Sequence, residues 1–241
     1  MQVSEVFLGN QHIAQHLLNF IRGWNSNPDH YIIPPYLNFS PMSLKELLAH
    51  TSILEMDKAG GIFFRLCGSE IEKIYGRSLT NTYMSDLYDD LSEAECLNEI
   101  YAQAIIQGCG LIKISVKHFI GNTSSYPMLK LCLPMSHPRS LGGNLLLCLS
   151  VYPRPSSSGL EMQNTTKLAN DKWLNLSYLN FYDNFKTSMM SRRSKLTFEA
   201  KNLNVETINF DHFTDLAEEI SEELPTSTPA AVAFEDTHLF A

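Results

Sequence analysis

Three strand-like segments in immediate succession constrain this chain more than any other feature. They are LIKISVKHF (111–119), YPMLKLCLP (126–134) and NLLLCLSVY (144–152). In the first, Ile112, Ile114, Val116 and His118 share one face and Lys113, Ser115 and Lys117 the other, because side chains alternate along a strand. The second alternates likewise, with Leu129, Leu131 and Leu133 in phase. The third is apolar throughout, which requires cover on both of its faces. The intervening loops GNTSS and SHPRSLGG are rich in turn formers, and such loops join antiparallel neighbours. Upstream, TSILEMD and GIFFRLCG flank KAGG, a hairpin signal.

Helical signals fill the gap between that hairpin and the three strands. SEIEKIYG reads as a turn or two of helix with Ser69 as N-cap and Gly76 closing it, since glycine takes the left-handed conformation that ends helices. SEAECLNEIYAQAIIQG predicts a helix over 92–107, with Ser92 and Glu95 as a capping box and Gly108 ending it. Its apolar face carries Leu97, Ile100, Tyr101, Ala104 and Ile105. The expected class is α+β: a five-stranded antiparallel sheet over residues 51–152, with the inserted helices on one face. The cavity of such an architecture lies between that face and those helices.

Outside this core the signals are simpler. FLGNQHIAQHLLNFIRGW puts Ile13, Leu17, Phe20, Ile21 and Trp24 on one stripe. The stripe is expected to pack on the outer sheet face or on a second copy, making a homodimer through this helix. SPMSLKELLAH reads as a short helix with Ser40 as N-cap and Pro41 at its first position. After Tyr152, PRPSSSG reads as a linker. KWLNLSYLNFYDNF carries helix and strand potential alike, and SRRSK is a small basic knot. Residues 205–241 hold nine acids and no Lys or Arg, so that segment is expected to be mobile apart from an amphipathic helix over 213–224. The organisation read from the sequence is an N-terminal amphipathic helix (1–30), a core domain (31–152) and a largely irregular, partly disordered, acidic extension (153–241).

Composition narrows the function. The formal net charge is −8, which argues against a nucleic-acid binder that works by neutralising phosphates. The five cysteines form no C-x-x-C pair and lie mostly in apolar runs, the usage of reduced, buried thiols in a cytoplasmic protein. The chain opens without a basic and then apolar leader, and its longest apolar run, LLLCLSV, is too short to insert in a bilayer. No metal-ligand spacing, Walker A, G-x-S-x-G or H-E-x-x-H sequence occurs, so a non-enzymatic role is expected.

The stretch FFRLCGSEIEKIYGRSLTNTY (63–83) follows, nearly position by position, the pattern F-R-[LF]-x-G-[ST]-x-[IL]…[FY]-G-R-[DS]-L-T-[GN]-x-Y. With a helix ending near Trp24 and Pro28, and LLAHTSILEMD before the hairpin, it resembles the PAS domain. In wording it is similar to the small stand-alone PAS proteins common in proteobacteria. The likeness covers about residues 11 to 152, and Asn81 stands where the family more often has Gly. It implies that the strand ending at Gly68 feeds short helices that roof a pocket. GRSLT is then the joint between them, with Gly76 supplying a positive φ and Arg77 bonding carbonyls or a carboxylate. The candidate pocket residues are Phe64, Leu66, Tyr75, Tyr83, Leu97, Tyr101, Ile105, His118 and Leu131.

The resemblance names no cofactor. Helix 92–107 has no histidine to ligate haem, and the flavin-type N-C-R-F motif does not occur. No output domain is readable, so a bacterial sensory module of this kind would signal by contact with an unknown protein partner. Two classes stay open: a ligand-binding sensor, and an interaction or scaffold protein with a filled core and a partner-binding tail. A cavity of roughly several hundred Å³ would favour the first, and a filled core the second.

Overall fold

The computed structural model describes residues 11–26, 33–119, 125–139, 143–151, 168–180 and 205–209. In chain order it contains α1 (Gln11–Trp24), 3₁₀ turns at Tyr36–Asn38 and Pro41–His50, β1 (Thr51–Met56) and β2 (Ile62–Cys67). There follow α2 (Ser69–Tyr75), a 3₁₀ turn at Met84–Leu87, α3 (Leu91–Gln107), β3 (Gly110–Phe119), β4 (Ser125–Ser136), β5 (Asn144–Val151), β6 (Leu168–Asn180) and β7 (Val205–Asn209). The strands form one sheet in the order β2-β1-β5-β4-β3-β6-β7.

The five expected strands are present and all pair antiparallel. The sheet then continues. β6 runs antiparallel to β3, with Leu111 opposite Tyr178, and β7 runs parallel to β6, with Val205 opposite Leu176. The segment whose sequence left helix and strand open is therefore strand as far as Asn180, because it supplies partners for the backbone groups on the free edge of β3. β7 corrects a second expectation, since residues 205–209 begin the acidic segment expected to be mobile. The helix expected over 213–224, the linker PRPSSSG and the knot SRRSK lie outside the described residues.

Both faces of the sheet are covered, as the apolar run of β5 requires. Leu54, Phe64, Leu111, Cys132, Leu146 and Cys148 meet α2, α3 and the turn at Met84–Leu87. Ile112, Ile114, Leu131, Leu133, Leu145, Leu147 and Leu149 meet Leu17, Phe20, Ile21 and Trp24 of α1, together with Leu44 and Leu47. The stripe of α1 is thus used on its own sheet, where each such side chain contributes about 1.5–3 kcal/mol of burial. Trp24 adds direction: its Nε1 donates to the Pro134 carbonyl at 2.8 Å.

Helix ends differ from the sequence reading. α2 starts at Ser69 itself, with Gly68 as N-cap and no side-chain cap. α3 starts one residue early, capped by Asp90, whose Oδ1 accepts from Ser92 N and from the Ser92 hydroxyl at 2.8 Å. The carboxylate is the stronger acceptor, so the serine becomes a donor instead of the cap. SPMSLKELLAH is 3₁₀ rather than α, broken at Leu44 (φ −114°), and Ser40 makes no side-chain cap bond.

Candidate ligand cavity under the helices

The glycine-flanked motif builds one wall. β2 leaves the sheet at Gly68, where a Cβ would stand 2.5 Å from the Leu48 carbonyl oxygen and closer still to that of Ala49. α2 ends at Gly76 with φ 63°. The following joint is held by Glu72, whose Oε1 accepts from Leu79 N and from the Ser78 hydroxyl, both at 2.8 Å. Arg77 Nη2 donates to the Asp86 carbonyl at 3.3 Å. The motif then folds back on its own strand: Phe64 N donates to Thr82 O at 3.0 Å and Asn81 N to Phe64 O at 2.7 Å. Asn81 sits at φ 65°, a left-handed position that asparagine tolerates better than most residues.

Behind this wall lies a cavity. Ile71 and Tyr75 from α2 and Tyr101 from α3 line it together with Phe64 from the edge strand β2 and with Met84 and Tyr88 from the connection between the two helices. The sheet contributes Lys113, Met128, Lys130 and Ser150. Its free volume is about 10 Å³, room for about one water. Lys113 and Lys130 lie directly opposite each other across β3 and β4, and they are only 1% and 5% exposed. The Lys130 ammonium stands 5.0 Å from the centre of the Tyr101 ring and 5.5 Å from that of Phe64, within cation–π range.

Of the residues singled out in the sequence, Phe64, Tyr75 and Tyr101 line this cavity. Leu97 and Ile105 are buried in the same core but do not line it. Leu66 is 49% exposed. The register moves from Ile53↔Leu66 to Leu54↔Phe64, so Arg65 is an extra, bulged residue that turns Leu66 away from Phe64's face. Tyr83 is 39% exposed, and its hydroxyl donates to Asp57 Oδ2 at 2.9 Å. That bond, then one from Gly61 N, holds the Asp57 carboxyl below its ordinary value. Leu131 lies on the opposite face, against α1. His118 pairs with Ser125 in the sheet, and its side chain lies outside the described residues.

The phase of β3 is the main correction. Ile112 and Ile114 belong to the core beneath α1, and Lys113 turns to the cavity. The sequence reading missed Lys113, Lys130 and Ser150, since a lysine alternating with apolar residues normally marks a solvent face. The signal lay one strand away. An apolar run in β5 with cover on both faces leaves its neighbour β4 no solvent face to offer. Burial also raises two thiols here, Cys67 and Cys109, each pushed up to about 12, so both stay uncharged at neutral pH.

Among the described residues, no cluster of His, Cys, Asp and Glu is placed to hold a metal ion, and no helix is long and apolar enough to cross a membrane. A family model described as PAS domain matches residues 13–143, more than half of the 241 residues. No curated protein matches the chain.

Proposed function

The chain belongs to the PAS domain family, and from that premise we propose that it is a non-enzymatic module that binds a small ligand and signals by contact with a protein partner. A PAS domain is in general a sensory or regulatory module. The ligand-binding reading is carried by one observation: a space between helices and sheet lined by three tyrosines, a serine and two buried lysines. A core built for stability alone fills with apolar side chains, because two aromatic rings offset only part of the cost of burying the Lys130 ammonium. Ligand arrival would shift a two-state equilibrium by its differential affinity for the two states. A cytoplasmic setting fits the five cysteines, all free thiols.

A second reading draws on the cavity's volume. About 10 Å³ is far below the roughly 300–1,000 Å³ of ordinary ligand pockets. That favours an interaction or scaffold protein with a filled core. A homodimer through α1 would then use the face left by the buried stripe, which carries Gln15 and Arg22. Native mass spectrometry of the purified chain separates the two readings. A surplus mass that disappears on denaturation is the expected result. A bare chain mass in every charge state would overturn the ligand reading and leave the scaffold.

A further inference from the structure

We propose that the cavity is a seat for one compact anion, a halide ion or the carboxylate of a short organic acid, held by Lys130 and Lys113 beneath Tyr75, Tyr88 and Tyr101. The inference deepens the ligand-binding reading and rests on it. Lys130 is the centre of the argument. It is 5% exposed, and among the described residues its ammonium meets the rings of Phe64 and Tyr101 but no carboxylate. Two aromatic faces offset only part of the desolvation of an ammonium.

The neighbourhood adds to that imbalance. Lys113 lies directly across the ladder and lines the same space, and like charges opposite each other on one sheet face repel. A single anion beside Lys130 would gain a charge-assisted hydrogen bond from it and offset the repulsion from Lys113. Ser150 brings a hydroxyl to the same lining. Ser115, two residues along β3 from Lys113, is fully buried, and its Oγ has no hydrogen-bond partner among the described residues. The volume selects the size. About 10 Å³ takes one water-sized body, so a halide needs a slight widening of the space and a carboxylate head a larger one. Met84 and Met128 close the space, and unbranched thioethers repack readily around the body of an organic acid.

The test is thermal unfolding of the full chain titrated with sodium chloride or sodium acetate, at an ionic strength held constant with sodium HEPES. The expected result is a saturable rise in Tm with at least one anion, about 5–10 °C at a hundredfold excess over Kd. A rise with chloride identifies a halide seat, and one with acetate alone a carboxylate seat. Lys130→Met keeps the volume and removes the charge, so it should lose the saturable part while melting no lower than wild type without anion. Lys113→Met serves the same purpose should that variant not fold, and calorimetric titration of the wild type with acetate needs no variant. Absence of any saturable rise, or the same rise in Lys130→Met, overturns the seat. A neutral molecule found by native mass spectrometry in a chain that ignores both anions would overturn the anion seat and leave the sensory reading standing.

Discussion

Two glycines of one motif do different work, and substituting each separates their roles. Gly76 is needed for its φ of 63°, where a Cβ costs about 1–2 kcal/mol. Gly68 has ordinary extended angles, φ −78° and ψ 150°, but its missing Cβ leaves room for the carbonyls of Leu48 and Ala49. Backbone cannot rotate away as a side chain can, so Gly68→Ala should cost about 2–3 kcal/mol and Gly76→Ala about 1–2 kcal/mol. Urea unfolding of both variants measures this, and equal losses would show that the contact at Gly68 yields. Only one of the two roles was legible. A glycine after a helical run announces a left-handed cap. The carbonyls above Gly68 come from a turn some twenty positions upstream, which no local pattern reveals. Glu72 was missed for the same reason: its two hydrogen bonds reach forward to Ser78 and Leu79 across a turn whose path the sequence does not draw.

Elements were legible where one periodicity had one explanation. The stripe of α1 is such a case. Phe20 is fully buried in the core beneath the sheet while Arg22 is exposed. Phe20→Ala should therefore cost about 3–5 kcal/mol, and Arg22→Ala, at an exposed position, no more than about 1 kcal/mol. Thermal or urea melts of the two variants check the pair; a Phe20→Ala protein as stable as wild type would mean that α1 is not a structural layer. Legibility ended where two explanations shared one pattern. The alternation of β3 was read correctly as strand, but its phase was not, because alternation says which residues share a face and not which layer that face meets. The bulge at Arg65 similarly breaks the two-residue period within β2, and so the pairing of Phe64 with Leu66 failed. For the candidate site, the aromatic half was legible only in part: Tyr101 follows from helix periodicity and Tyr75 from its place in the inserted helices, while Tyr83 lies outside the lining and Tyr88 within it. The cationic half depended on knowing that both sheet faces are covered.

At the scale of the whole molecule, the family match ends at residue 143 and the sheet does not. β6 pairs with β3 from Gly110↔Leu179 to Phe119↔Leu168, and its end serves both cores: Tyr178 lies in the one under α3 and Leu179 in the one under α1. Both are almost completely buried. Gly110 makes this approach close, since a Cβ there would stand 3.0 Å from Leu179 Cβ and from the Cys132 carbonyl oxygen. A chain cut after Tyr152 would thus lose two core side chains and bare the edge of the strand that carries Lys113. Removing one large core side chain typically costs about 2–5 kcal/mol, and each kcal/mol lowers Tm by about 2–4 °C in a protein of this size. The truncation to residues 1–152 should therefore melt at least about 10 °C below the full chain, and its open edge should drive association. A truncation to residues 1–209 keeps β6 and β7 and should melt close to the full chain. Thermal melts together with size-exclusion chromatography decide it. A monomeric 1–152 protein with an unchanged Tm would show that the first five strands hold the fold without β6. The expected loss would instead make β6 a working part of the domain, and anything that displaced it would bear directly on the strand that lines the cavity.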